Sequence, residues 1–306
     1  MSIPSKLYFY LLLCIFCLIN CNEVNAFKPT EDSNIFKPVR FYPLVGGSIV
    51  LYGATLYGLN DLWYKDYPRS SFHFFNDNKE WLQMDKIGHA YSAYYESIIG
   101  IEGLRWTGVK DKKAILAGGL VGFICQTPIE VLDGFSSNWG FSVGDFAANV
   151  FGCVLATSQE LIFNEQKIMF KFSFYPTEYA SERPDILGNS FVQNLLKDYN
   201  GQTYWLSTSM NNFTGKRHFF PDWLYFSVGY GANGMMGGEE NPPEFIDIKR
   251  YRQYYLSLDI NTLKLKGKNK MLNAFLTAFS VIKFPAPALE FNNDVKNNFK
   301  FHFFYF

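Results

Sequence analysis

The sequence predicts an α+β protein. An N-terminal four-helix bundle of membrane type precedes a Phe/Tyr-rich antiparallel β region, which ends in an aromatic C-terminal strand. Three observations predict this. Charged residues make up only 18% of the 306-residue chain, whereas aromatics reach 19%, carried by 32 Phe and 20 Tyr. Few charges and many rings suit a surface that meets lipid or a wet apolar interface, and they do not suit a disordered chain. Up to about residue 165 the apolar stretches are long and rich in Gly; beyond it, Phe170, Phe172 and Phe174 alternate with Lys171 and Ser173, a period of two that marks a strand. Lys+Arg and Asp+Glu are both 28, so the chain lacks the basic excess that a nucleic-acid partner asks for.

Taken in order, residues 1–26 read as a signal peptide. Lys6 precedes the apolar run from Leu7 to Ile19, and Val24-Asn25-Ala26 offers modest side chains for cleavage before Phe27. A second reading cleaves before Cys21 and lipidates it, although Asn20 stands where a small residue is normal. Residues 27–165 form the helical bundle, with helices expected at Leu44–Leu59, Met84–Trp106, Lys112–Leu132 and Val143–Phe163. Glycines in the third, Gly118, Gly119 and Gly122, are costly in water but permit close helix contact in a membrane-type bundle. None of the four is a clean uncharged span of about 20 residues, so membrane-embedded and membrane-hugging arrangements are both open. Cys125 and Cys153, in apolar helical stretches, read as two buried thiols, with an exported disulfide as the alternative.

Residues 166–306 are the β-rich aromatic region with two short helices. After the strand at Phe170–Phe174 comes a surface helix at Leu187–Tyr199, then strands at Asp222–Tyr230 and Arg250–Ile260, a helix at Met271–Ile282, a break at Pro285-Ala286-Pro287 and the closing strand Phe299–Phe306. Four to six strands are too few for a complete single-chain barrel, which starts at about 8. One antiparallel sheet with a greasy face, packed on the helices or the membrane, is the expectation. Gly229-Tyr230-Gly231-Ala232-Asn233-Gly234 matches a dinucleotide-binding string, but no helix can begin in the Gly/Glu/Pro segment that follows, so it reads as a turn between strands. Asn212-Phe213-Thr214 is a glycosylation acceptor only in a eukaryotic secretory pathway.

Three of the apolar helices carry a polar stripe. Asp85, His89, Ser92 and Glu96 follow helical spacing on the second, Gln126, Glu130 and Asp133 on the third, and Asp145 and Asn149 on the fourth. Such groups are expensive in an apolar medium unless they meet one another. The economical arrangement is one shared cluster of Asp85, His89, Glu130, Asp133, Asp145 and Asn149. Each also has a plainer reading: Asp85 complements a helix N-terminus, Ser142 with Asp145 makes a capping box, and His89 is a hydrogen-bonded interior histidine. Glu160, on a similar apolar background, reads as an ordinary position and a neutral reference for mutation.

Asp85-Lys86 with His89, Glu130 with Asp133-Gly134, and Gly140-Phe141-Ser142 with Asp145, Asn149 and Gly152 resemble the YfiM-like family of predicted periplasmic lipoproteins. More distantly they are similar to VanZ-like membrane proteins. The resemblance covers roughly Trp81–Glu165, and the Phe-rich tail is similar to the C-terminal extension of bacteroidetal members. It implies a bacterial envelope location, on the periplasmic side and associated with the outer membrane, and it brings no established reaction. The chain departs from the VanZ-like pattern in having no basic residue between Asp133 and Asp145.

Two functions follow as expectations. The first is a non-enzymatic envelope protein whose polar cluster fixes helix packing. Its partners would be membrane lipid and envelope proteins, or further copies completing the sheet. The second is an envelope hydrolase or transferase acting on a lipid or glycan precursor. There Glu130 or Asp133 would be the general base, His89 a proton shuttle or ligand, and Asp145 an orienting carboxylate. No nucleophile motif is present, which favours the first. No cofactor is assigned; His89 with acids suits a hard or borderline metal.

Overall fold

A computed structural model describes residues 35–60, 67–214, 219–294 and 298–306. The expected signal peptide, Cys21 and Phe27 lie outside the described residues. The chain divides into two compact units, residues up to Asn76 with Ser92–Gln166, and Asp77–Tyr91 with Lys167–Phe306. The division falls inside one helix.

The first unit is helical. Helix α1 (Pro38–Leu59) begins six residues earlier than expected, because Pro38 takes the first turn, where a missing N–H costs nothing. A two-residue strand β1 (Phe74–Phe75) precedes α2 (Met84–Trp106), whose ends agree with the sequence reading. The expected third helix is two helices, α3 (Asp111–Gly118) and α4 (Val121–Gly134), interrupted at Gly119-Leu120. Strand β2 (Phe141–Ser142) pairs in parallel with β1, and α5 (Val143–Phe163) follows with its ends as expected. Ser142 Oγ accepts from the Asp145 N–H at 3.0 Å, and Asn164 closes the helix at φ 53°.

The break between α3 and α4 has a packing cause. A Cβ at Gly118 would stand 2.3 Å from the Ile101 nitrogen, one at Gly122 2.2 Å from the Ala93 oxygen, and one at Gly119 2.1 Å from Thr157 Oγ1. The backbones of α2 and of the α3–α4 segment therefore touch along Ala93, Ser97 and Gly100, and Ser97 Oγ donates to the Gly119 carbonyl at 2.8 Å. The small residues do what the sequence pattern suggested. Helix α1 has no buried residue; the Tyr52 hydroxyl donates to the Cys125 carbonyl at 2.6 Å and Arg40 lies 5.0 Å over the Trp106 ring. Cys125 and Cys153 are free thiols.

The second unit is a six-stranded antiparallel meander in sequence order. Strand β3 (Ile168–Phe174) leads through the short helices α6 (Tyr179–Glu182), α7 (Pro184–Leu187) and α8 (Phe191–Lys197) to β4 (Gln202–Ser209). Then come α9 (Asn211–Thr214), β5 (Leu224–Asn233), β6 (Tyr251–Ile260), α10 (Lys270–Ala278), β7 (Ala286–Asn292) and β8 (Phe299–Tyr305). Strands β4 and β7 were not expected: β4 mixes Ser and Thr with Tyr and Trp, and β7 hides behind Pro285 and Pro287. Gly229–Asn233 belongs to β5 and is not a turn; the chain reverses only at Gly234, where φ is +77°.

The sheet is inverted. On β6 the buried positions are Tyr255, Ser257 and Asp259, while Leu256 and Leu258 are 36% and 44% exposed. The buried face carries Lys171, Thr203, Ser207, Ser227, Asp259 and Glu290, and it closes on itself. Lys171 Nζ, on β3, reaches Asp259 Oδ2 of β6 at 2.8 Å, and Tyr305 of β8 meets Thr203 of β4 at 3.1 Å. In a flat sheet strands three or four places apart are about 14–19 Å distant. The sheet is strongly coiled around its polar side.

Candidate functional site

In the second unit, the site residues sit at the start of α2, just after a strained segment. Trp81, Leu82 and Gln83 have φ of 47°, 49° and 68°, three successive left-handed residues, each disfavoured by about 1–2 kcal/mol. Tertiary bonds hold them there: the Trp81 N–H donates to the Gly238 carbonyl at 2.8 Å, Tyr230 to the Leu82 carbonyl at 2.5 Å, and Arg252 to Gln83 Oε1 at 2.8 Å. That anchored turn sets where α2 begins. Asp85 lies in its first turn, beside the positive helix end, and its Oδ2 is 3.9 Å from His89 Nε2 one turn on. The Tyr199 hydroxyl donates to Asp85 Oδ1, and the Trp81 ring lies against Tyr199 at 5.4 Å. Lys86 turns aside to Asp77 at 2.8 Å. A Cβ at Gly88 would stand 2.9 Å from the Tyr204 hydroxyl, so glycine is what lets that ring approach the helix.

In the first unit, the remaining site residues share one end of the α4–α5 hairpin. Glu130 and Asp133 fall in the last two turns of α4, and Asp145 and Asn149 in the first two turns of α5. Glu130, Asp145 and Asn149 are 1%, 3% and 0% exposed, and Asp133 is half-buried. The tight connection between the helices comes from Phe74↔Phe141 pairing and from Gly134 and Gly140, against which Phe72 and Phe75 pack too closely for any side chain. Among the other stripe residues, Gln126 Nε2 donates to both carboxylate oxygens of Glu96 at 2.9 Å.

Two elements were not legible in advance. Tyr199 is 114 positions from Asp85, and no local pattern couples them. At the other end of the first unit, Arg105 binds Glu102 Oε1 at 2.6 Å, Asp111 Oδ1 at 2.7 Å and Glu160 Oε2 at 2.7 Å. Glu102 and Arg105 three residues apart were a signal for part of it. Glu160, expected to be an ordinary position, is 3% exposed and also accepts from Gln166 at 2.8 Å, so it is no neutral reference.

The sheet interior holds buried charge: Lys171, Asp259, Lys283 and Glu290 are each 1% exposed or less. Lys283 Nζ donates to the Leu258 and Phe284 carbonyls at 2.7 Å and lies 5.0 Å over the Trp205 ring. Burial pulls its ammonium down to about 8, helped by Lys171 and opposed by Asp259. In the second unit Asp85 and His89 offer a carboxylate and an imidazole, and in the first unit Glu130, Asp133 and Asp145 offer carboxylates, each set of a chemistry suited to proton transfer or to a hard or borderline cation.

Residues 73–160 match the family model described as Predicted periplasmic lipoprotein (DUF2279). The match covers less than a third of the 306-residue chain and contains all six candidate residues. This stretch is therefore similar to a periplasmic lipoprotein family, in agreement with the envelope location expected from the sequence. No curated protein and no solved structure matches the chain.

Proposed function

We propose that the chain is a cell-envelope protein held at a membrane by its apolar helices, with a structural or interaction role. The observation that carries this reading is the set of three helical segments long and apolar enough to cross a membrane: Pro38–Leu59, Asp111–Gly134 and Val143–Phe163. Their apolar side chains are turned outward, Ile49 at 66%, Val50 at 74%, Val154 at 56% and Ile162 at 68% exposure, where a protein in water would place charge. In this reading Asp85, His89, Glu130, Asp133, Asp145 and Asn149 form a polar centre that specifies helix packing, since polar groups in an apolar bundle are stable only when they satisfy one another. The similarity to a periplasmic lipoprotein family supports export, and with it attachment through a lipidated Cys21 as the alternative to cleavage before Phe27. The motif's likeness to YfiM-like and VanZ-like proteins fits the same address, and the outer membrane is the proposed destination. Alkaline carbonate washing of cell membranes tests the reading: the chain should stay in the pellet and leave it only with detergent. Release by carbonate refutes helical embedding.

A second reading, a hydrolase or transferase on an envelope lipid or glycan precursor, is favoured by the burial of Glu130 and Asp145 in otherwise apolar segments. Glu130→Gln keeps shape and hydrogen bonding and removes the titrating group. Loss of phenotype at normal abundance would favour the enzyme, whereas joint loss of abundance would favour the packing centre. The exposed Glu244 serves as the reference position.

A further inference from the structure

The inverted sheet carries an inference beyond helical anchoring. In a water-soluble sheet the apolar face packs inward and the polar face meets solvent. Here the polar face is the buried one, joined across its own interior by Lys171 with Asp259 and by Tyr305 with Thr203. The apolar face is thus not the remnant of a core left open: the sheet has a core already, in which Trp205, Tyr255, Tyr225 and Met169 pack among the buried polar groups.

The outward side chains form continuous rows across the strands. Phe170, Leu206, Val228, Leu256, Leu289 and Phe301 are register partners in one unbroken line from β3 to β8. Two residues away runs a second line, Phe172, Tyr204, Tyr230, Tyr254, Phe291 and Phe299, all aromatic. On the other side lie Ile168, Thr208, Phe226 and Leu258, then Leu224 with Ile260. At about 3.4 Å per residue, these rows span about 20 Å along the strands, near the apolar band of a membrane β-structure. One border is aromatic and rich in tyrosine, the chemistry favoured at a bilayer–water boundary. Tyr91 covers the β3–β4 part of this face, with ring contacts to Phe170, Phe172 and Tyr204. Tyr230, bonded to the Leu82 carbonyl, is half-buried as well; beyond these the face is exposed at Val228 (49%), Leu256 (36%), Phe291 (43%) and Phe301 (50%). We propose that the outer face of β3–β8 contacts the acyl chains of an envelope bilayer, so that the C-terminal region is membrane β-structure and not a periplasmic domain.

The test uses the full chain reconstituted in vesicles of phosphatidylethanolamine and phosphatidylglycerol, with benzoylphenylalanine placed singly at Val228, at Val154 of α5 and at Glu244. Illumination followed by mass spectrometry should find a phospholipid adduct at position 228 and none at 244. A crosslink from 228 to a second copy, or no adduct there, overturns the proposal. An adduct at 154 without one at 228 keeps the helical anchoring and rejects the sheet; the reverse keeps the sheet and rejects the helices.

Discussion

Gly122→Ala is the sharpest probe of the helical seam. The new Cβ would lie 2.2 Å from the Ala93 carbonyl oxygen and 2.8 Å from Ser97 Oγ. Ordinary contact requires the backbones of α2 and α4 to part by about 1 Å, in an interior packed as densely as an organic crystal. Overpacking of this kind costs about 1–3 kcal/mol. Parting also breaks the 2.8 Å bond from Ser97 Oγ to the Gly119 carbonyl, worth about 1 kcal/mol. Against this, alanine favours the helix over glycine by about 1 kcal/mol. The net expectation is a loss of about 1–3 kcal/mol. Gly53→Ala on α1 is the internal contrast, because nothing lies within 4 Å of its would-be Cβ; only the propensity gain remains. Thermal unfolding followed by far-ultraviolet circular dichroism in detergent micelles should move the two midpoints in opposite directions. A Gly122→Ala protein as stable as the parent would show that the backbones do not touch there.

Two further outcomes follow from the buried charges. Arg105→Met would leave Glu102, Asp111 and Glu160 facing one another without their common cation, at about 3 kcal/mol, read as a lower denaturant midpoint; an unchanged midpoint would mean the cluster is solvated. Lys283 titrates at about 8 in the folded chain against an ordinary 10.5, so the unfolded chain binds the extra proton between those values. Its destabilising effect is complete below pH 8 and is relieved as pH rises towards 10.5. The stability difference between Lys283→Met and the parent should therefore shift in the parent's favour by about 2 kcal/mol from pH 7 to pH 9.5, and a difference that stays flat with pH would refute the burial of that charge.

Local chemistry was legible in the amino-acid sequence wherever it is self-sufficient. The ends of α2 and α5 could be read directly, α5 because its stops are residues with their own geometry: the Ser142 cap and the left-handed Asn164. The stripe of Gln126, Glu130 and Asp133 and the close-packing glycines were likewise visible, since helical period alone puts them on shared faces. Tertiary structure decided the rest. The α3–α4 break is imposed by Gly118 and Gly119 meeting Ile101 and Thr157, residues of other helices. The left-handed turn at Trp81–Gln83 exists only because Gly238, Tyr230 and Arg252 hold it, and Tyr199 reaches Asp85 only through the folded chain. Above all, the alternation in β6 announces two unlike faces but carries no sign. Ser257 and Asp259 turn inward because Lys171 and the Pro287 carbonyl are there to meet them, which leaves Leu256 and Leu258 outside. A period of two depends on the strand alone, whereas the choice of the buried face depends on which partners the coiled sheet brings across its interior.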